Sequence, residues 1–243
     1  MEIGRKIIHL NNVDSTSNYT ANLVKEGQID SGTVILADNQ YAGRGQRGSE
    51  WLVKPGENLT FSFFLDNVNL SVDRQFVLTQ IVSLSIVDLL KKFGMSAEIK
   101  WPNDIYCRGK KIAGVLIENQ LMGRNVKNSI IGVGINLNQE TFEGFDATST
   151  LLETGAYKKP MDMLHSFCVS FNECWPRFIN NNFAALKSDY LKDLYKFGIE
   201  ARYRNAEGEL TGVIVDVLDS GKLLVRHGDA DRAYDLKEIQ FVS

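Results

Sequence analysis

Residues 129–138, SIIGVGINLN, carry the clearest strand signal in the sequence, because apolar side chains alternate with small or polar ones from Ile131 onward. Successive side chains of a β-strand point to opposite faces. One face therefore carries Ile131, Val133, Ile135 and Leu137, and the other carries Gly132, Gly134, Asn136 and Asn138. Glycine weakens a strand interior, so two glycines on one face indicate that something flat lies against the backbone, either a ligand or another segment of the chain.

Outward from this strand, apolar runs and periodic segments predict the other elements of a large domain. Strands are predicted at residues 33–37, 59–65, 97–100, 105–107 and 111–120. Apolar side chains spaced three and four residues apart predict helices over residues 72–93, 160–180 and 183–195. A short helix over residues 19–25 follows the capping side chains of residues 14–18 and ends at Gly27, and residues 141–155 are predicted to form a polar loop.

The pattern changes beyond Gly198 to short alternating strands separated by tight turns. The strands are predicted at residues 200–203, 210–218, 222–226 and 232–236, and the turns contain Gly208, Gly221 and Gly228. This spacing is typical of a small all-β barrel of about 50 residues. A domain boundary is therefore predicted near residues 195–198, dividing the chain into residues 1–196 and 197–243.

Charge and cysteine content narrow the class of protein. The formal net charge of -3 provides no overall positive field for nucleic acid, although a local cluster such as Arg44 and Arg47 stays compatible with anion binding. The three cysteines, Cys107, Cys168 and Cys174, lack the CxxC spacing of zinc sites, and their odd number favours a reducing compartment. No signal peptide or membrane span is evident. A soluble, cytoplasmic protein is predicted.

The loop GRGQRGSEW, residues 43–51, is a candidate anion-binding segment. Its glycines allow the backbone to approach a ligand closely, and its arginines are permanently charged donors suited to phosphate and carboxylate. Since it follows an apolar strand, one end of the loop is held by a rigid element. A flexible, solvated connection is the alternative interpretation of the same composition.

Two further polar segments have alternative interpretations as well. Asn103 and Asp104 follow a proline at a strand break, where an Asn-Asp pair also serves simply to form a turn. Ser15 and Thr16 lie at a predicted helix start, where capping alone explains them. Lys111, at the start of a strand, is by itself an ordinary solvated lysine.

Four segments in this order resemble the signature blocks of biotin protein ligases: residues 43–51, 100–104, 111–118 and 132–136. Residues 14–16 and the C-terminal strands resemble the same family, so the likeness covers nearly the whole chain. It implies an α+β fold, with a mixed β-sheet and packed helices similar to class II tRNA synthetase catalytic domains, followed by a C-terminal SH3-like β-barrel. It also implies the monofunctional form, without the N-terminal DNA-binding domain of bifunctional members.

The resemblance implies a two-step ligase reaction. Biotin is activated by ATP, with Mg²⁺, to biotinyl-5'-AMP and pyrophosphate, and the biotinyl group is then transferred to a lysine of a carrier protein. The implied partner is a biotin carboxyl carrier protein domain of acetyl-CoA carboxylase or a related carboxylase. No DNA or membrane partner is expected, and a homodimer stays open.

The resemblance also implies roles for individual residues. The catalytic set is Lys111, Arg44, Asp104 and Asn103, with Asp104 as the candidate Mg²⁺ ligand. The biotin-binding set is Ser15, Thr16, Gln40, Gly43, Arg44, Lys111, Gly114, Gly132 and Gly134. The ATP- or adenylate-binding set is Arg44, Arg47, Trp51, Asn103, Lys111 and Asn136, and the loop of residues 138–150 is the candidate cover for adenine.

Elementary chemistry is compatible with these roles. A carboxylate and a triphosphate repel each other, so fixed cations and backbone N–H groups must gather where they meet, whereas the neutral ureido ring of biotin needs uncharged polar partners. The positions of Lys111 and Gly114 on their strand conflict with these roles. Regular alternation from Lys111 places Gly114 on the opposite face of its strand, so at least one of them must depart from regular strand geometry to share a site.

The sequence departs from the family inside the loop of residues 43–51, and other functions compete with the ligase assignment. Gln46 and Ser49 stand where many members carry basic residues, so the loop is predicted to hold the adenylate less tightly unless Arg47, Lys54 or a nearby side chain compensates. The nearest rival is a lipoate or octanoate ligase, whose expected arginine- and glycine-rich pattern is absent. A non-catalytic biotin- or adenylate-binding module and a β-barrel interaction protein are the remaining alternatives.

Overall fold

The computed structural model describes residues 1–51 and 53–242, and of Arg47 it describes only the backbone. The centre of the molecule is an eight-stranded mixed sheet. The strands are β1 (Ile7–Val13), β2 (Val34–Gln40), β3 (Leu59–Leu65), β4 (Leu70–Ser71), β5 (Ala97–Lys100), β6 (Asp104–Cys107), β7 (Lys110–Met122) and β8 (Asn125–Ile135). They are ordered β1-β2-β3-β8-β7-β6-β5, with β4 beside β8. Only β1 and β2 are parallel among these pairs, so the predicted mixed sheet is confirmed.

Five helices accompany the sheet: α1 (Thr16–Lys25), α2 (Phe76–Lys92), α3 (Thr150–Thr154), α4 (Pro160–Ile179) and α5 (Phe183–Lys192). Helix α2 is apolar nearly all round, and most of its side chains are buried. The ring of Phe167 on α4 lies 5.0 Å from that of Phe61 on β3, and Phe171 lies 5.1 Å from Phe63. Because β3 alternates, Thr60 and Ser62 face away from α4, toward α1.

A second, five-stranded antiparallel sheet follows. Its strands are β9 (Glu200–Asn205), β10 (Gly208–Val217), β11 (Leu223–His227), β12 (Ala230–Tyr234) and β13 (Ile239–Phe241), in the order β12-β11-β10-β9-β13. No ladder joins β12 to β13 within residues 197–242, so the predicted barrel is not closed by backbone hydrogen bonds. The turn between β10 and β11 contacts the corner between β5 and β6, because the indole Nε1 of Trp101 donates to the carbonyl oxygen of Gly221 at 2.8 Å.

Several predicted elements differ from the observed ones for identifiable reasons. Strand β1 was not predicted, because it is an edge strand whose exposed Asn11 and Asn12 interrupt the apolar pattern. The strand predicted to reach residue 138 ends at Ile135, and the loop predicted over residues 141–155 contains the short helix α3, which Ser149 caps. Within the described parts of the chain, the helices are too short or too polar to cross a membrane.

Candidate active site

A cavity of about 670 Å³ lies between the N-terminus of α1, strands β3, β7 and β8, the loop of residues 43–51 and the loop that follows β8. It brings together most of the predicted site residues: Ser15, Thr16, Gln40, Arg44, Trp51, Asn103, Asp104, Lys111, Gly114, Gly132, Gly134 and Asn136. Gly43 lines a neighbouring cavity on the outer side of the same loop. The side chain of Arg47 lies outside the described residues.

A row of neutral polar side chains lies at the α1 end of the cavity. Gln40 Oε1 accepts hydrogen bonds from Thr16 N at 2.9 Å and Thr16 Oγ1 at 3.1 Å, and Thr16 Oγ1 lies 2.7 Å from Ser62 Oγ. Ser17 Oγ is 3.0 Å from the same hydroxyl. These residues are all buried, and none is charged. Such a row can exchange hydrogen bonds with a neutral ring that carries both donors and acceptors.

The prediction from sequence missed two members of this row. Ser17 directly follows the predicted Ser15 and Thr16, and Ser62 interrupts an otherwise apolar strand between Phe61 and Phe63. That interruption is the only signal that could have identified Ser62. Ser15 itself caps α1, because its hydroxyl accepts from Asn18 N at 3.4 Å.

An indole covers one end of the glycine face of β8, whereas Gly132 on the same face lies against Ser17 Oγ. Gly134 is the cross-strand partner of Gly114 on β7, and the side chain of Trp51 lies directly over this pair. A Cβ atom at Gly134 would overlap the indole, and one at Gly114 would lie 3.3 Å from Trp51 Cζ3. The flat group on this glycine shelf, defined as Gly114 and Gly134, is therefore another segment of the chain. Trp51 Nε1 is buried there without a hydrogen-bond partner among the described residues.

A β-bulge removes the difficulty in placing Lys111 and Gly114. The pairing of β6 with β7 runs from Asp104 opposite Gly114 and Ile105 opposite Ala113 to Tyr106 opposite Lys111, so Ile112 is an extra residue on β7. The extra residue shifts the alternation by one position. Lys111 Cε consequently lies 3.4 Å from the position of a Cβ at Gly114, on the cavity side of the sheet.

Lys111 and Asp104 form an ion pair beside the shelf. Lys111 Nζ lies 2.7 Å from Asp104 Oδ1 and 5.6 Å from the centre of the Trp51 ring. The backbone of Lys111 is held on both sides, because its N–H donates to Asp146 O at 3.2 Å and its carbonyl accepts from Thr148 N at 2.9 Å. The ammonium group is thus placed on a rigid strand, with a carboxylate close enough to exchange a proton.

The predicted asparagines use their amide groups to hold the backbone. Asn103 Nδ2 donates to Val115 O at 2.6 Å, and Asn136 Nδ2 donates to Thr148 O at 3.0 Å. The first bond fastens the corner after β5 to β7, the strand of Lys111, and the second closes the loop after β8 on itself. Direct contacts of Asn103 and Asn136 with a nucleotide stay a prediction.

Next to the corner of residues 101–104, a half-buried cation lies against aromatic rings. Lys100 Nζ donates to Tyr106 Oη at 2.7 Å and lies 5.2 Å from the ring centre of Phe241 on β13. Burial lowers the pKa of Lys100, and burial raises the pKa of Tyr106 to about 12. Tyr106 therefore stays neutral at physiological pH, and the contact ties the second sheet to the corner that carries Asp104.

Comparison with known proteins decides the family. The model of the biotin/lipoate A/B protein ligase family matches residues 10–136, more than half of the 243 residues. The chain belongs to this family.

Named ligases are among the relatives of this family member. It is 30% identical over 207 residues to the biotin–acetyl-CoA-carboxylase ligase of Paracoccus denitrificans, covering 82% of this chain and 85% of that protein. It is 28% identical over 229 residues to the bifunctional ligase/repressor BirA of Bacillus spizizenii, covering 92% of this chain and 70% of that protein. The biotin protein ligase of Aquifex aeolicus in complex with biotin and ATP has a TM-score of 0.82 at 28% identity, covering 98% of this chain and 100% of that one.

In this member of the biotin/lipoate ligase family, Arg44 is not free in the cavity. Arg44 Nη2 lies 2.8 Å from Glu118 Oε2 on β7, and the backbone of Arg44 pairs with Glu50 across the loop. Glycine is needed at position 43, because a Cβ there would overlap the backbone carbonyl oxygen of Trp51. The loop is consequently folded over the cavity with its first arginine held by a carboxylate.

The residues present do not form a protein-only metal site. Over residues 1–51 and 53–242, no three His, Cys, Asp or Glu side chains gather closely enough to hold a metal ion. Asp104, the predicted ligand, already pairs with Lys111 through Oδ1. Mg²⁺ commonly binds through one or two carboxylates plus substrate phosphates, so a single carboxylate is compatible only with an ion that the nucleotide brings.

Proposed function

We propose that this chain is a biotin protein ligase that activates biotin with ATP and transfers the biotinyl group to a lysine of a biotin carboxyl carrier protein domain. The observation that carries the proposal is the single cavity in which the neutral polar row of Thr16, Ser17, Gln40 and Ser62 leads along the glycine shelf to Lys111. The ureido ring of biotin would bind to this row of polar side chains, and the carboxylate of biotin would then reach the ammonium group of Lys111.

Lys111 would act in the first step. The biotin carboxylate attacks the α-phosphorus of ATP, the bond from that phosphorus to the bridging oxygen breaks, and pyrophosphate leaves with the electron pair. Negative charge is concentrated between the carboxylate and the α-phosphate, so a fixed ammonium at that point stabilises the transition state more than the separated substrates. The rigid strand position of Lys111 supplies this charge without reorganisation.

Asp104 would act in the second step. The amine of the carrier lysine attacks the carbonyl carbon of the mixed anhydride, and AMP leaves with the electron pair of the broken bond. The carrier lysine arrives as an ammonium ion at neutral pH and must lose a proton before it can attack. Asp104 is the carboxylate nearest to the shelf, and it lies next to Lys111, so it can accept that proton.

We assign the remaining parts of the site by position. The loop of residues 138–150, which brings Thr141, Phe142 and Phe145 to the rim of the cavity, is the proposed cover for adenine. Mg²⁺ would enter with the triphosphate and neutralise part of its charge. We also propose that residues 1–196 form the catalytic unit and residues 197–243 a second domain. A cytoplasmic location agrees with three buried, free cysteines.

Biotin-dependent exchange of pyrophosphate into ATP, in the presence of Mg²⁺, tests the function. We expect exchange with biotin and none with lipoate or octanoate. Exchange with lipoate alone would overturn the proposal. Binding of biotin without any exchange would instead indicate a non-catalytic binding module. Mass spectrometry of a carrier domain after the complete reaction then tests transfer, and substitution of its acceptor lysine by arginine is the control.

Trp51 offers a direct signal for ligand entry. Biotin and the indole compete for the glycine shelf, so biotin must displace Trp51 and change the environment of its fluorescence. We expect a biotin-dependent change in tryptophan emission in the wild type and its loss in Trp51→Phe, because Trp101 and Trp175 are buried elsewhere. An undiminished change in Trp51→Phe would contradict the competition, and calorimetry on the same variant checks that biotin still binds.

Gln46 provides a test of how the loop retains the adenylate. Gln46 lines the cavity, and its Oε1 is buried without a partner among the described residues. An arginine there would add a cation near the phosphate, and we expect Gln46→Arg to slow adenylate dissociation about tenfold, the equivalent of roughly 1.4 kcal/mol. Release of radiolabelled adenylate measures the rate, Gln46→Met is the uncharged control, and an unchanged rate in Gln46→Arg would count against the hypothesis.

A further inference from the structure

Among the described side chains of the loop of residues 43–51 and of β7, the cations at the cavity are already paired with carboxylates. Arg44 forms an ion pair with Glu118 at 2.8 Å, and Lys111 forms one with Asp104 at 2.7 Å. A carboxylate therefore offsets the positive charge of each of these two cations. Gln46 and Ser49, which also line the cavity, are neutral. A triphosphate next to a biotin carboxylate needs more compensation than these side chains give.

Lys54 lines the same cavity, three residues beyond Trp51, and its ammonium group has a different environment. Lys54 Nζ donates to Thr141 Oγ1 at 2.9 Å, and it forms no ion pair with a described residue. This hydrogen bond is exposed, and its acceptor, the hydroxyl group of Thr141, carries no charge. A phosphate oxygen carries negative charge, so it attracts the ammonium group more strongly than a neutral hydroxyl does, and lysine binds phosphate well as a point charge. A phosphate oxygen can therefore replace Thr141 at little cost.

The backbone of Lys54 is held by a buried side chain. Gln139, which is 7% exposed, accepts from Lys54 N at 3.2 Å and from Asn58 Nδ2 at 2.7 Å through the same oxygen. Gln139 Nε2 in turn donates to Thr141 O at 2.8 Å. One buried amide thus links the end of the loop over the cavity to the loop that follows β8. The ammonium group spans the two walls between which a nucleotide would lie.

We propose that Lys54 binds the polyphosphate of ATP and supplies positive charge that the glycine- and arginine-rich loop lacks at Gln46 and Ser49. The proposal rests on the proposed function for the identity of the nucleotide. Lys54 is then a binding residue for the triphosphate part of the nucleotide. Its contact with phosphate takes the place of the bond to Thr141 and is lost when pyrophosphate leaves.

The test compares Lys54→Met with Lys54→Arg and with Lys127→Met. Lys127 is an exposed lysine of β8 that does not line the cavity, so its substitution removes the same charge elsewhere. We expect Lys54→Met to raise the KM for ATP in biotin-dependent pyrophosphate exchange about tenfold, to leave biotin affinity within about twofold, and to be rescued by arginine. Lys127→Met is expected to match the wild type.

Direct binding of ATP, measured by equilibrium dialysis on the same variants, separates this inference from the proposed function. ATP affinity that depends on Lys54 supports the assignment even if exchange with biotin is absent, a result that would overturn only the ligase function. If the wild type catalyses exchange, and Lys54→Met has the same ATP affinity and the same KM for ATP as the wild type, only the role of Lys54 is overturned. A wild type that binds no ATP would overturn both. Thermal melting confirms that each variant is folded.

Discussion

The Lys111→Met variant forms biotinyl adenylate about 10²–10³-fold more slowly than the wild type, the loss expected when one fixed charge-stabilising group is removed from an active site. Methionine keeps the length and apolar stem of lysine but removes the ammonium group. The carboxylate of biotin and the α-phosphate of ATP would then meet without the ammonium group of Lys111 between them. The effect falls on the chemical step, because the charge becomes concentrated only in the transition state.

Single-turnover release of pyrophosphate at saturating biotin and ATP measures this step. Lys110→Met is the matched control, because Lys110 is the preceding residue of β7, is exposed, and lies outside the cavity. We expect it to retain wild-type rates within about twofold, as is usual for an exposed substitution away from special features. A Lys111→Met rate within about tenfold of the wild type would contradict the proposed role of the ammonium group.

Loss of Lys111 also leaves Asp104 without its ion-pair partner, which must be separated from the loss of the cation itself. The double variant Lys111→Met with Asp104→Asn removes both charges. If the missing cation causes the defect, the double variant is as slow as Lys111→Met in the first step. Recovery of the rate in the double variant would instead show that the unpaired carboxylate repels the substrates.

The second large effect is expected at the glycine shelf, where Gly134→Ala weakens biotin binding about 10- to 100-fold. A single added methyl group projects from the face on which a flat ligand must lie, and overpacking of this kind costs about 1–3 kcal/mol. The same methyl group would overlap the indole of Trp51 in the free protein. Trp51 lies at the end of a loop, whereas Gly134 is paired with a strand on each side, so we expect the ligand rather than the fold to take the larger effect.

Isothermal titration with biotin, in two backgrounds, distinguishes the two possible origins of this loss. With Trp51→Ala the indole is absent, so Gly134→Ala reduces biotin affinity in that background only if biotin itself lies on the shelf. We expect a reduction of similar size in both backgrounds. Equal biotin affinity for Trp51→Ala with and without Gly134→Ala would place biotin elsewhere in the cavity, and wild-type affinity in the single Gly134→Ala variant would remove the shelf from the site.

Much of the site could be predicted from sequence because its elements have local signatures. The alternation of residues 131–135 indicates a strand with one apolar and one glycine face, and the apolar spacing of residues 160–180 indicates a helix. The resemblance to biotin protein ligases then placed Lys111, Asp104 and Gln40 in one cavity, where the structure has them. Ser62 escaped prediction because a lone serine in an apolar strand has no local signature, and β1 escaped because edge strands carry polar residues.

The sequence alone was enough to predict which strand has a face without side chains and which residue types surround it. Alternation with a period of two and glycine content are both properties of a single segment. Tertiary structure alone decided what covers the shelf and how Lys111 reaches it. The indole of Trp51 reaches Gly134 by the folding of a loop, and the extra residue Ile112 exists only in the pairing of β7 with β6. Both depend on contacts between separate segments, and such contacts leave no periodicity in either segment.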